Sequence, residues 1–227
     1  MLVNKIQLLN MQACECLVSK VDQLRPYWHT SVKDFFFTLG NALYQSSDTQ
    51  VYWKKSRYYN GLLFTQFSGT YMLLLDTLSA YLKSRVGFMQ GFSLPGFHIF
   101  EIGLHSVYNG GGPHFDLSHL HVFDKTSNVY GPIYSFTLPL QLPAASTGLD
   151  IWELQYGEAL GLAGDELTKI AGQRKKHFII YRKGELVVFS GLHLHQIAPV
   201  AAINKDDRRI TLQGHCIFRN GYWGIYF

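Results

Sequence analysis

The sequence predicts an α+β fold in which a mainly helical N-terminal part, residues 1–90, braces an antiparallel double-sheet jelly roll over residues 95–227. Three observations predict it. Up to about Gly87 apolar residues recur largely at helical spacing. From about Gly96 the pattern changes to short β-rich runs punctuated by Gly and Pro. No long helical segment separates these runs, so the strands pair in packed antiparallel sheets rather than in βαβ units. A chain of 227 residues can bury one sizeable core, and no low-complexity or Pro/Gly/Ser linker divides it, so 1–227 reads as a single domain.

Taken in order, Leu2, Ile6, Leu9, Leu17, Val18, Val21 and Leu24 predict a first helix that Arg25-Pro26 ends. A second is predicted from Ser31 through Leu43. Gln45 to Gly61 is polar and aromatic without a clear period. Thr70 is placed to cap a third helix through Leu74, Leu75, Leu78 and Leu82 that ends near Gly87. In Ile133 to Leu142 the even positions are apolar, while Ser135, Thr137 and Gln141 share the other face, which is suited to lining a cavity. Leu186 to Phe189 reads as a strand, and a Gly-containing turn leads from it into Leu194 to Val200. The C-terminal Tyr222 to Phe227 is apolar enough for either a last core strand or an interface edge.

Composition narrows the function classes. Apolar residues make up 47% and charged residues 16%, with 16 Phe and 14 Tyr, which excludes a disordered chain and predicts an aromatic interior or pocket. A net charge of +4 and one short basic run, Arg174-Lys175-Lys176, do not make a nucleic-acid surface. Three cysteines, with Cys14 and Cys16 too close for an ordinary disulfide, fit a reducing compartment. Polar residues interrupt the N-terminal apolar stretch and no membrane span is visible, so a cytoplasmic protein is expected.

The chemistry resides in His114-Phe115-Asp116, in Gly184 to His195, and in Arg208-Arg209-Ile210-Thr211. Side chains two apart on a strand point the same way, so His114 and Asp116 can grip one ion. A histidine from a distant strand, across a sandwich or barrel, would complete the set. Chance alone supplies about 0.7 His-x-acid triplets in such a composition, so order and context carry the weight. His193 and His195 compete for the third position, with Ile197 and Pro199 favouring His195. Arg208 and Arg209 point to opposite faces, and the second is followed two residues on by Thr211.

In these residues the chain resembles the 2-oxoglutarate- and Fe(II)-dependent oxygenases. Their pattern is His-x-Asp, a later His in a run like G-x-L-V-x-F…H-x-(V/I)-x-P, and then Arg-x-(Ser/Thr). Tyr108-Asn109-Gly110-Gly111-Gly112-Pro113 resembles their Tyr/Gly-rich approach to the first ligand, so the likeness spans roughly residues 95–220. It implies a double-stranded β-helix of cupin-like type with Fe(II) held by His114, Asp116 and His195. It further implies 2-oxoglutarate as co-substrate, with Arg209, Thr211 and Tyr108 at its site, and O₂ as oxidant. Two imidazoles and a carboxylate leave three positions for a chelating co-substrate and O₂, and the planar guanidinium of Arg209 matches a distal carboxylate.

The implied reaction oxidises an unactivated C–H bond of a small molecule, such as an amino acid or a natural-product intermediate, releasing succinate and CO₂. The carboxylate of Asp116 favours hydroxylation over halogenation, because halogenating members usually have a small residue there. A protein side-chain hydroxylase is an alternative; many prolyl hydroxylases of the family use lysine where this chain has Arg209. His119, His121 and His215 leave open a cupin-like metal site with more histidines and no 2-oxoglutarate, and a binding module with structural histidines is the third reading. Gln141, Trp152, Tyr156, Tyr58 and Tyr59 are candidates for ligand contact or for packing.

Overall fold

Asn10 and Asp48 set the starts of the two large helices. The structure, a computed structural model, describes residues 2–32, 35–46, 48–102, 110–122, 132–145, 147–200 and 203–227. The Asn10 side chain accepts from the Ala13 amide (2.8 Å), opening α1 (Met11–Gln23), which buries Cys14, Leu17 and Val21 on one stripe. Asp48 Oδ1 accepts from the amides of Gln50 (2.7 Å) and Val51 (3.3 Å), opening α2 (Thr49–Leu82), which ends at Lys83 in the left-handed region. Phe67 interrupts α2 with non-helical angles, just before Ser68-Gly69, a pair that favours a kink.

Among the described residues, nine strands form one sheet: β1 (Val3–Gln7), β2 (His29–Val32), β3 (Phe36–Leu39), β4 (Val86–Phe88), β5 (Gly96–Phe100), β6 (Ile133–Gln141), β9 (Glu185–Ser190), β11 (Arg209–Arg219) and β12 (Tyr222–Tyr226). The path runs β1-β9-β6-β11-β5-β3-β2, with β12 joining β11 to β4, and the pairing is antiparallel except between β12 and β4. A second sheet, β10-β7-β8, holds β7 (Gly148–Gln155), β8 (Lys176–Ile180) and β10 (His193–Ile197), with α3 (Gly164–Gly172) beside it.

Alternation sorts the residues of the large sheet. Phe97 and Ile99 of β5, Phe136 and Leu138 of β6, Leu186 and Val188 of β9, and Ile210 and Leu212 of β11 pack against α1 and α2 in the largest core. The opposite faces meet the small sheet: Leu149 and Ile151 of β7 pack on Val187 and Phe189 of β9. Trp152 packs with Leu154, Leu194 and Ala171, away from the cavity, and Tyr156 packs against Phe115. The C-terminal segment is a core strand, with Trp223, Ile225 and Tyr226 buried.

Three elements differ from expectation. The first predicted helix is a strand, a short connection and then a helix, because Leu2 and Ile6, four apart, fit either period and the open edge of β9 captures Val3–Gln7. The predicted helix over Ser31–Leu43 is instead the β2–β3 pair. Its aromatic and β-branched residues suit a strand, the edge of β5 needs a partner, and Gly40 at φ 124° cannot continue a helix. The third helix begins not at Thr70 but at Thr49, so the uncertain Gln45–Gly61 segment is largely helical; Gly61, Gly69 and scattered aromatics dilute its periodicity. Among the described residues no helix is long and apolar enough to cross a membrane.

Candidate active site

The chain leaves the large sheet at Ser190 and enters the small one at His193, and the site is built where it crosses. His114 pairs with His195 through two backbone hydrogen bonds (2.9 and 3.0 Å), while the Asp116 amide donates to the Gly191 carbonyl (2.9 Å). His114 and His195 are therefore lateral neighbours, not partners across a sandwich. Gly110, at φ 81°, lies so close to β10 that a Cβ there would stand 2.1 Å from the Ile197 carbonyl oxygen, which explains part of the glycine-rich approach.

His114, Asp116 and His195 bring one ligand atom each to within 4.8 Å of one another. His114 Nε2 is 3.7 Å from Asp116 Oδ1, and His195 Nε2 is 3.2 Å from Asp116 Oδ2. Each imidazole donates Nδ1–H to a backbone carbonyl, His114 to Gly112 and His195 to His193, both at 2.8 Å. That bond fixes ring and tautomer and turns Nε2 toward the carboxylate. Burial would raise the Asp116 pKa, but His195, His215 and His114 outweigh it and hold the group well below the usual carboxylate range. Burial lowers the His195 pKa, yet Asp116 reverses this and raises it, while burial and His195 lower that of His114. An ionised carboxylate flanked by two oriented imidazoles is a ready donor set for a transition metal.

The same cavity, about 600 Å³, is lined by the triad and by Arg209. Arg209 is fully buried, and Nε, Nη1 and Nη2 have no hydrogen-bond acceptor among the described residues. Its guanidinium lies over the rings of Phe100 (5.4 Å) and Tyr181 (5.7 Å). A buried cation without an acceptor is costly unless one is supplied to it.

The structure separates the rivals. The pairing of β10 with β7 shifts register between His193 and His195, and only His195 joins the cluster. Arg208 turns outward and donates to Asp22 of α1 (2.5 and 3.2 Å). Thr211 is fully buried and does not line the cavity; its Oγ1 accepts from Gln213 Nε2 (2.9 Å). Tyr108 and the side chain of His121 lie outside the described residues. Gln141 faces a groove beside α1, Tyr58 is exposed on α2, and Tyr59 donates to the Tyr27 carbonyl.

Sequence reasoning missed His98, Tyr181 and Gln213. Gln213 shares the parity of Arg209 on β11, a usable signal, and Ser135 and Thr137 line the cavity as the alternation of β6 suggests. Tyr181 follows an apolar strand and carried no signal. Burial, then Arg209, depress the His98 pKa to about 3, so it stays neutral beside the Tyr44 hydroxyl (3.1 Å).

No family model matches the chain, and no curated protein sequence does either. Solved structures are similar. An N-substituted L-amino acid dioxygenase from Burkholderia ambifaria AMMD, in complex with alpha-KG, superposes with TM-score 0.61 at 14% identity, covering 100% of this chain and 86% of that one. AviO1 from Streptomyces viridochromogenes Tue57 gives TM-score 0.55 at 13% identity, with 97% and 91% covered. HygX from Streptomyces hygroscopicus, with nickel, 2-oxoglutarate and hygromycin B bound, gives 0.52 at 14% identity, with 94% and 82% covered. The chain thus has the fold of these structures and carries within it a cluster of two histidines and one carboxylate.

Proposed function

We propose that the protein is an Fe(II)- and 2-oxoglutarate-dependent oxygenase that oxidises an unactivated C–H bond of a small molecule, on a double-stranded β-helix core within a single domain. The observation that carries this reading is the buried guanidinium of Arg209, without an acceptor, in the same cavity as the triad. A metal alone explains the histidines; it does not explain a buried cation facing an anion-sized space. A dicarboxylate satisfies both ends.

His114, Asp116 and His195 would hold the iron, and with 2-oxoglutarate and O₂ it would supply the oxidant, with succinate and CO₂ as co-products. The remaining work falls to the chain. Arg209 would receive the distal carboxylate, with Phe100 and Tyr181 keeping its fork flat and excluding water. Thr211 would steady Gln213 rather than touch the co-substrate. Toward solvent the cavity is flanked by Val32, Phe35, Phe36 and Tyr44, an aromatic and apolar wall suited to a small organic substrate. The neighbours named above include an N-substituted L-amino acid dioxygenase and a protein with hygromycin B bound, which supports a small-molecule substrate over a polypeptide. Free Cys14, Cys16 and Cys216 suit a reducing compartment.

The test is anaerobic titration of the metal-free protein with Fe(II) and then 2-oxoglutarate, followed by the visible charge-transfer band of the chelate. The band should appear only with both and be lost in His114→Ala and Arg209→Ala. Bound metal without the band would sink the 2-oxoglutarate reading and leave a cupin-like enzyme.

A further inference from the structure

His215 is a buried-side titratable group in the cavity that the triad does not use. It sits on the same face of β11 as Arg209, yet it falls outside the cluster whose ligand atoms lie within 4.8 Å. Its Nδ1 is 3.7 Å from Asp116 Oδ2 but only 3.0 Å from Ser135 Oγ. Ser135, in turn, donates to Asp116 Oδ2 at 2.5 Å. A hydroxyl has one proton to give, so with that proton committed to the carboxylate the imidazole must donate its Nδ1–H to Ser135 Oγ. The three groups form a one-way chain from β11 through β6 to the metal-ligand loop.

We propose that Ser135 and His215 are positioning residues that fix the rotation of the Asp116 carboxylate toward the two ligand histidines, a reading that rests on the metal site argued above. Oδ2 accepts from the Ser135 hydroxyl while lying 3.2 Å from His195 Nε2, and Oδ1 faces His114 Nε2 at 3.7 Å, so the serine bond sets how the carboxylate meets both imidazoles. Gly191 fits the same purpose: a Cβ there would meet Ser135 Oγ at 2.6 Å and Asp116 Cβ at 3.0 Å, so only glycine lets the hydroxyl and the carboxylate close together. The cluster of ligand atoms takes in His114, Asp116 and His195 and not His215, so in this arrangement His215 serves to hold Ser135.

The experiment is anaerobic Co(II) titration of the full chain, reading both affinity and the visible d–d spectrum, for wild type, Ser135→Ala, Ser135→Thr, His215→Phe and the Ser135→Ala/His215→Phe double variant, with His114→Ala as control. Loss of an outer partner of a metal ligand costs roughly 10- to 100-fold in affinity, so Ser135→Ala should bind cobalt about tenfold more weakly and with a spectrum of altered coordination. Ser135→Thr, which keeps the hydroxyl, should restore both. His215→Phe should move both the same way by less, and the double variant should be no worse than Ser135→Ala, because His215 acts through Ser135. Wild-type affinity and spectrum in Ser135→Ala would overturn the inference, as would fully additive losses in the double variant. Loss of cobalt in His215→Phe as complete as in His114→Ala would make His215 a ligand and overturn it too. These results leave the metal site standing; a wild type that takes up no cobalt would sink that site and the inference together.

Discussion

The outer and inner faces of the large sheet at β11 treat the same kind of side chain in opposite ways. Arg208, on the helix side, reaches Asp22 of α1 with both terminal nitrogens and lies 5.9 Å from the Trp28 ring. Arg209, one residue on, is buried on the cavity side with no acceptor for its three nitrogens. One arginine is complete without a ligand and the other is not. The difference teaches where the fold gives up stability: burying an unpaired cation costs several kcal/mol, and here about 0.5–2 kcal/mol is returned by each ring it lies over. Arg208 fastens α1 to the sheet, whereas Arg209 fastens nothing and lines the cavity.

The largest effect should come from Arg209→Met, which removes the charge and keeps the bulk. Truncating one partner of a buried charge pair costs about 2–5 kcal/mol in binding, so the KM for 2-oxoglutarate should rise by roughly 100-fold or more. The same substitution should raise the melting temperature of the ligand-free protein, since replacing buried charge by a well-packed apolar chain often gains about 1–4 kcal/mol. Adding 2-oxoglutarate at about 100 times its wild-type Kd to the metal-loaded protein should stabilise the wild type by about 2.7 kcal/mol more and move metal-loaded Arg209→Met far less. A ligand-free Arg209→Met that melts lower than wild type would show that the guanidinium is already satisfied within the protein and would erase the contrast. Arg209→Lys keeps the charge but not the fork, and should fall between, near tenfold in KM.

Why this site was legible, and the N-terminal half was not, follows from how each is specified. His114 with Asp116, and Arg209 with Gln213 and His215, are short-range facts of strand parity, so residue spacing alone places them on a common face. His193 and His195 tied on parity, and the tie breaks only in three dimensions, where His195 pairs with His114 and joins the cluster; nothing local to the chain announces that pairing. Residues 3–7, 29–32 and 36–39 became strands because β9 and β5 offered open edges, a demand set by tertiary structure that no window of sequence contains. Tyr181 enters the site because burial sets it against Arg209, and its own neighbours in sequence say only that it is apolar.

A finer probe of the inner face is Tyr181→Phe. Burial raises the pKa of this hydroxyl although Arg209 beside it works the other way, so it stays protonated and available as a donor near the anion. Losing one such neutral bond costs about 0.5–1.5 kcal/mol, a rise of roughly two- to tenfold in the KM for 2-oxoglutarate with metal affinity unchanged. An unchanged KM would confine Tyr181 to packing against Arg209.

The smallest effect should be that of Arg208→Met, and it is the control that gives the comparison its meaning. A partly exposed ion pair contributes about 0–1 kcal/mol, and the substitution keeps the aliphatic stem that lies near Trp28. The melting temperature should fall slightly, more at low salt than at high, since screening already removes most of the pair's worth at high ionic strength. The KM for 2-oxoglutarate should not move. If it did, α1 would be coupled to the cavity through β11, and the two faces of the strand would not be independent; a thermal scan at two salt concentrations beside one KM measurement decides it.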